Sequence, residues 1–91
     1  MKMPGNKHFK IEYLDSVVKK DIAALPKSAK ALIKEAIETR LTLDPIGFGK
    51  PLRYSLKGHR RLRVSDYRVV YRIENDTVIV VAIKHRKDVY E

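Results

Sequence analysis

The chain has 91 residues, no cysteine, and 20 Lys+Arg against 11 Asp+Glu, for a formal charge of +9. The absence of cysteine excludes disulfides and cysteine-ligated zinc, and no apolar run approaches the roughly 18 residues of a membrane-spanning helix. A hydrophobic content of 44% is too high for a disordered chain and fits one small folded domain, with about two-thirds of its unfolded surface open to burial.

Met1 to Lys7 is polar, contains Pro4 and Gly5, and lacks the apolar stretch of a signal peptide. Residues 1–8 are therefore expected to form a frayed leader, with a single domain over 9–91 and a cytoplasmic location. His8 falls in that leader. Phe9-Lys10-Ile11-Glu12-Tyr13 alternates apolar and charged residues, which predicts a half-buried strand. Asp15 or Ser16 is expected to cap a helix whose apolar positions are Val17, Val18, Ile22 and Leu25. Pro26 suits the first turn of a second helix, with Ala29, Leu32, Ile33, Ala36, Ile37, Arg40 and Leu41 at spacings of three and four. Asp44-Pro45 and Gly47 end it.

Gly47 to Leu52 reads as an irregular loop, too short for a phosphate-binding glycine loop and opening no helix. Lys57-Gly58 turns into a strand over His59 to Val64, Ser65-Asp66 is a two-residue connection, and Tyr67 to Ile73 is the next strand. Asn75-Asp76 is a second tight turn. Thr77 to Ile83 is the last strand, apolar on both faces and hence interior to the sheet. The order is β-α-α-β-β-β, an α+β fold with an antiparallel-rich sheet and a helical hairpin packed on one face.

A charge of +9 favours anionic partners, and its distribution is local. Lys57, Arg60, Arg61, Arg63, Arg68 and Arg72 face a single acid, Asp66, across that stretch. The strand period of two puts Arg61, Arg63, Arg68 and Arg72 on one face if Leu62, Val64, Val69 and Tyr71 line the core. Two readings of that face stay open: a solvated cationic surface, or a site that clamps phosphates with planar guanidinium forks. His59, His85 and Tyr90 lie at its margins and can exchange protons. RNA carries its own 2′-OH nucleophile, so such a site calls for no metal and no cofactor. Tyr67 and Tyr71 are expected in the core. A serine triad from Ser65, His85 and Asp88 has no nucleophile elbow around the serine.

The stretch Leu62 to Ile73 together with Ile83-Lys84-His85-Arg86-Lys87-Asp88-Val89-Tyr90 resembles the RelE/ParE toxin superfamily, and within it the RelE branch. Pro51-Leu52 and Lys57-Gly58 match the segment that usually precedes it, and the element order agrees from Phe9 onward. The resemblance implies the toxin of a type II toxin–antitoxin pair: a metal-independent endoribonuclease that cuts mRNA in the ribosomal A site and is neutralised by a cognate antitoxin. It implies catalytic roles for Arg61, Arg68, His85, Arg86 and Tyr90. RNA contacts are expected from Lys57, His59, Arg60, Arg63, Arg72, Lys84 and Lys87. Some RelE toxins carry two lysines where His59 and Arg61 stand here; arginine is a poor base, so His59 or His85 must accept the proton. The rival readings are a ParE-like inhibitor of DNA gyrase and a non-catalytic nucleic-acid-binding module.

Overall fold

Local sequence accounts for most of the elements in the computed structural model, which describes residues 8–88. The alternating segment forms β1 (Lys10–Tyr13), exposed and half-buried by turns. The first helical segment, α1 (Val17–Ile22), is wound in the wider π form. The side-chain cap expected from Asp15 or Ser16 does not form at Ser16, which already has helical angles. The Leu14 carbonyl, at the exit of β1, accepts instead from the amides of Val17 at 3.0 Å and Val18 at 3.2 Å. Helix α2 (Lys27–Ala36) continues into a wider stretch, Ile37–Leu41. Its stripe buries Ala29, Ile33, Ala36, Ile37 and Leu41, whereas Leu32 is 45% exposed and Val18 of α1 is 50% exposed. The sheet covers one side of the helical pair only, so the apolar stripe is wider than the buried one.

The Asp44 carboxylate accepts from the Gly47 amide at 2.9 Å and starts a short helical turn, α3 (Pro45–Phe48). The supposed irregular loop after it contains a two-residue strand, β2 (Lys50–Pro51), followed by β3 (Arg60–Val64) and β4 (Tyr67–Glu74). Strand β5 (Thr77–His85) runs two residues beyond the expected end at Ile83. Both hairpin connections open on a left-handed residue, Ser65 at φ 54° and Asn75 at φ 57°, which suits tight turns between right-twisted strands.

The five strands are ordered β1-β5-β4-β3-β2. Strand β1 pairs parallel with β5 and the remaining pairs are antiparallel, an α+β architecture. Val17, Ile33, Ala36, Ile37 and Leu41 pack on one sheet face against Leu62, Val64, Val69, Tyr71, Val78, Val80 and Ile83. The opposite face carries no helix among the described residues.

One irregularity sets the aim of the last strand. Tyr71 pairs with Val80 and Val70 with Ala82, leaving Val81 as an extra residue, a β-bulge. Before the bulge Val78 and Val80 face the helices; after it the core-facing position is Ile83. The alternation has slipped by one. Lys84 therefore lies on the open face and His85 on the helix side.

Candidate functional site

The open face is built from alternate residues of three strands. Arg63 of β3 stands directly opposite Arg68 of β4, and Arg68 directly opposite Lys84 of β5. Three cations thus stand in register across the sheet, a rung from which the Lys84 side chain reaches over to Asp21 of α1 and the cleft that His85 also lines. Arg61 lies in the next row, paired with Val70 on one side and with Lys50 of β2 on the other. Val70 is only 6% exposed and gives this face an apolar floor between Arg68 and Arg72.

Arg68 is the centre of the rung and is 9% exposed. Its Nη1 donates to the carbonyls of Ser65 at 3.0 Å and Tyr67 at 2.9 Å, so the tight β3–β4 turn holds the guanidinium in place. Burial lowers its pKa from the usual arginine value, and the positive fields of Arg63, Arg61 and Arg86 lower it further, against a smaller raising effect of Asp66. An arginine remains charged through such a shift. Among the described residues, then, positive fields outweigh negative ones around this cation. The Arg86 amide donates to the Asp66 carbonyl at 2.7 Å, and its Nε lies 3.8 Å from the Asp66 carboxylate, which ties the residue after β5 to the same turn. Lys84 has a partner: its Nζ lies 3.3 Å from Asp21. Arg72 sits further along the face and donates to Glu74 at 2.7 Å.

Arg60 stands apart from this group. It is paired across the sheet with Tyr71 and faces the helix side, where its Nη2 donates to the carbonyls of Ile46 at 2.9 Å and Gly49 at 3.2 Å. The Tyr71 hydroxyl donates to the Pro45 carbonyl at 2.5 Å in the same corner. Arg60 thus staples the α3 turn to the sheet, and its geometry is that of a structural cation.

His85 is also off the arginine face. Its ring makes an edge contact with Tyr67, centroids 5.4 Å apart, and lines a cleft of about 400 Å³ with Lys20, Asp21 and Asp88. Its Nδ1 accepts from the Lys87 amide at 3.3 Å, which leaves the proton of the neutral ring on Nε2. His59, one residue before β3, is half-buried and has a buried Nδ1 with no hydrogen-bond partner among the described residues. Lys57 and Lys87 are exposed, each within a short helical connection or its cap. Tyr90 lies outside the described residues.

Two residues beyond the sequence-derived set belong to this surface. Asp21 of α1 accepts from the Ile83 amide at 2.8 Å, just past the end of β1, besides holding Lys84. Those contacts join residues 62 and 63 positions apart, and no local pattern announces them. Tyr54, 82% exposed, lines a cleft with Lys50, Arg53 and Arg61; its signal is an aromatic interleaved with cations between Lys50 and Lys57.

Residues 13–90 match the family model described as the ParE toxin of the type II toxin–antitoxin system parDE. The chain is 34% identical over 77 residues to toxin RelG of Mycobacterium tuberculosis, covering 82% of this chain and 88% of that protein. It is 39% identical over 56 residues to toxin RelE of the same organism, covering 62% of this chain and 58% of that protein. Among solved structures it is similar to the toxin–antitoxin complex RelBE2 of M. tuberculosis, with a TM-score of 0.81 at 30% identity, covering 87% of this chain and 99% of that one. A match along nearly the whole chain, on a sheet with this strand order and this arginine rung, is decisive: the chain belongs to the RelE/ParE superfamily and is a RelE-like toxin of the type II toxin–antitoxin class.

Proposed function

We propose that this toxin is an endoribonuclease that cuts mRNA in the ribosomal A site. The observation that carries the proposal is the rung Arg63–Arg68–Lys84. Like charges directly opposite on neighbouring strands destabilise a sheet; Asp21 offsets Lys84, and the Arg63–Arg68 pair is what opposes the fold and invites an anion. A phosphodiester on Arg61, Arg63 and Arg68 supplies that anion. As the 2′-oxygen attacks phosphorus, the extra negative charge of the phosphorane-like transition state falls among the guanidinium groups. His59, half-buried one residue before β3, is the candidate acceptor of the 2′-OH proton. The P–O5′ bond breaks as the 5′-oxygen takes a proton from solvent, with Arg86, tied to the β3–β4 turn, donating a hydrogen bond to it, and a 2′,3′-cyclic phosphate remains; His85 faces the helix side and away from this phosphate. Tyr90 is assigned to base stacking or proton transfer from its place in the sequence. Lys57, Arg72 and Lys87 extend the positive field along the RNA.

A cognate antitoxin completes the proposal. The M. tuberculosis relative was solved as a toxin–antitoxin complex, and a charge of +9 steers an acidic or amphipathic segment onto the basic sheet.

A second reading, inhibition of DNA gyrase, is favoured by the ParE description of the matching family model. One experiment separates them. Purified toxin is added to translating ribosomes on a defined mRNA, and 5′ ends are mapped by primer extension. Cuts within the A-site codon are expected. Intact mRNA together with blocked supercoiling by gyrase would replace the ribonuclease reading, and intact mRNA with unaffected gyrase would leave only a binding module.

A further inference from the structure

Tyr54 is the most exposed large side chain among the described hydrophobic residues, at 82%, and it is held there by a fixed backbone. It has φ of 59°, a left-handed angle uncommon for a bulky residue. The short helical turn Tyr54–Leu56 maintains that angle: the Leu56 amide donates to the Arg53 carbonyl at 3.1 Å and the Lys57 amide to the Tyr54 carbonyl at 3.0 Å. The His59 amide closes the loop on the Leu56 carbonyl at 3.0 Å. An aromatic ring in water gains nothing for the fold from such a conformation. A strained residue that projects an apolar ring points to a ligand.

The surroundings identify its chemistry. Tyr54 shares a cleft of about 390 Å³ with Lys50, Pro51, Arg53 and Arg61. Lys50 and Arg61 are cross-strand partners on the cationic face, so the cleft opens directly from the proposed phosphate site. A planar ring flanked by cations and joined to a phosphate clamp is the arrangement that holds single-stranded nucleic acid: phosphates lie on the cations and a base stacks on the ring. A folded protein segment would instead meet a rim of three cations around one exposed aromatic, with Pro51 and the already buried Leu52 as the other apolar lining.

We infer that Tyr54 is a base-stacking subsite for single-stranded RNA, next to the scissile phosphate, with Lys50 and Arg53 holding the adjoining backbone. This rests on the ribonuclease reading and adds to it a specificity element outside the reacting atoms. The cleft binds a single strand on its own, without the ribosome.

The test uses the full chain and a 2′-O-methyl RNA oligomer that cannot be cut. Binding is followed by fluorescence anisotropy for wild type, Tyr54→Ala and Tyr54→Phe, on intact RNA and on RNA with one abasic position moved along the strand. Tyr54→Ala should bind about tenfold more weakly and Tyr54→Phe like wild type. At one position the abasic RNA should cost the wild type about tenfold and Tyr54→Ala nothing further, the coupling expected of two groups in contact. A merely structural role would not create that coupling. Equal binding by Tyr54→Ala, or an abasic penalty that survives the substitution, overturns the inference. So does wild-type toxin that cuts A-site mRNA yet does not bind the oligomer, and the ribonuclease reading then stands without it. Loss of both cutting and binding removes both. If Tyr54→Ala weakens only an antitoxin peptide, the ring belongs to a protein interface and the inference falls.

Discussion

Arg60 and Arg61 are neighbours on one strand and serve opposite faces of the same sheet. Arg60 turns to the helix side, where two backbone carbonyls and a buried tyrosine take up its fork. Arg61 turns to the open side, toward the rung of Arg63, Arg68 and Lys84. The first region meets one arm of its guanidinium with carbonyls of the fold, while the buried Nε has no partner among the described residues; the second gathers like charges, of which Lys84 and Arg72 have acidic partners. Residue type and sequence position do not separate the two roles. The face does.

Substitutions on each side can break that contrast, and the largest effect is expected in the corner. A Cβ on Gly49 would stand 1.8 Å from the Tyr71 hydroxyl oxygen. Gly49→Ala should therefore displace Tyr71 from Pro45 and lower stability by about 3 kcal/mol, measured by urea unfolding. A midpoint unchanged from wild type would mean that the corner is loosely held. On the open face Arg63→Gln should do the reverse. Cutting of A-site mRNA should fall about a hundredfold, roughly 2.7 kcal/mol in the barrier, as charge stabilisation of the transition state is lost. Thermal stability should hold or rise as a like-charge pair disappears. A drop in stability that tracks the drop in activity would erase the distinction between the faces.

The smallest effect concerns the Tyr71 phenol. Burial raises its pKa above the usual 10.0, against a lowering influence of Arg60, and burial likewise raises that of Tyr13, with Glu38 adding to it. The raised folded values mean that stability from these phenols is complete below pH 10 or so. It drains away above that point, as the unfolded chain ionises first and the folded one later. Tyr71→Phe should cost about 1 kcal/mol at neutral pH, from the lost bond to the buried Pro45 carbonyl. It should also flatten the alkaline decline seen by circular dichroism. An unaltered alkaline limb would assign the decline to other groups.

Much of this was legible from periodicity. Alternation alone put Arg61, Arg63, Arg68 and Arg72 on one face, and the registers of β3 and β4 agree. The stripe of α2 was equally clear at Ala29, Ile33, Ala36, Ile37 and Leu41. Three features were not. His85 reads as a neighbour of the arginines until the bulge at Val81 shifts the phase of β5 and turns it toward Tyr67. Arg60 reads as one of a basic cluster, because the carbonyls it holds lie 14 and 11 residues away at Ile46 and Gly49. Asp21 reads as helix surface, although it caps an amide of the last strand. In each case a tertiary contact or a single inserted residue overrides a local pattern that was itself correct.

The narrow β2 makes one margin of the sheet a poor place for another strand to add. At one margin of the sheet the last residues are Lys50 and Pro51. A proline has no amide to offer an incoming strand, and a lysine places charge where that strand would have to lie. The β2 margin therefore resists strand addition. The adjoining Tyr54 cleft is left open to a flexible single strand, which requires no backbone ladder to bind.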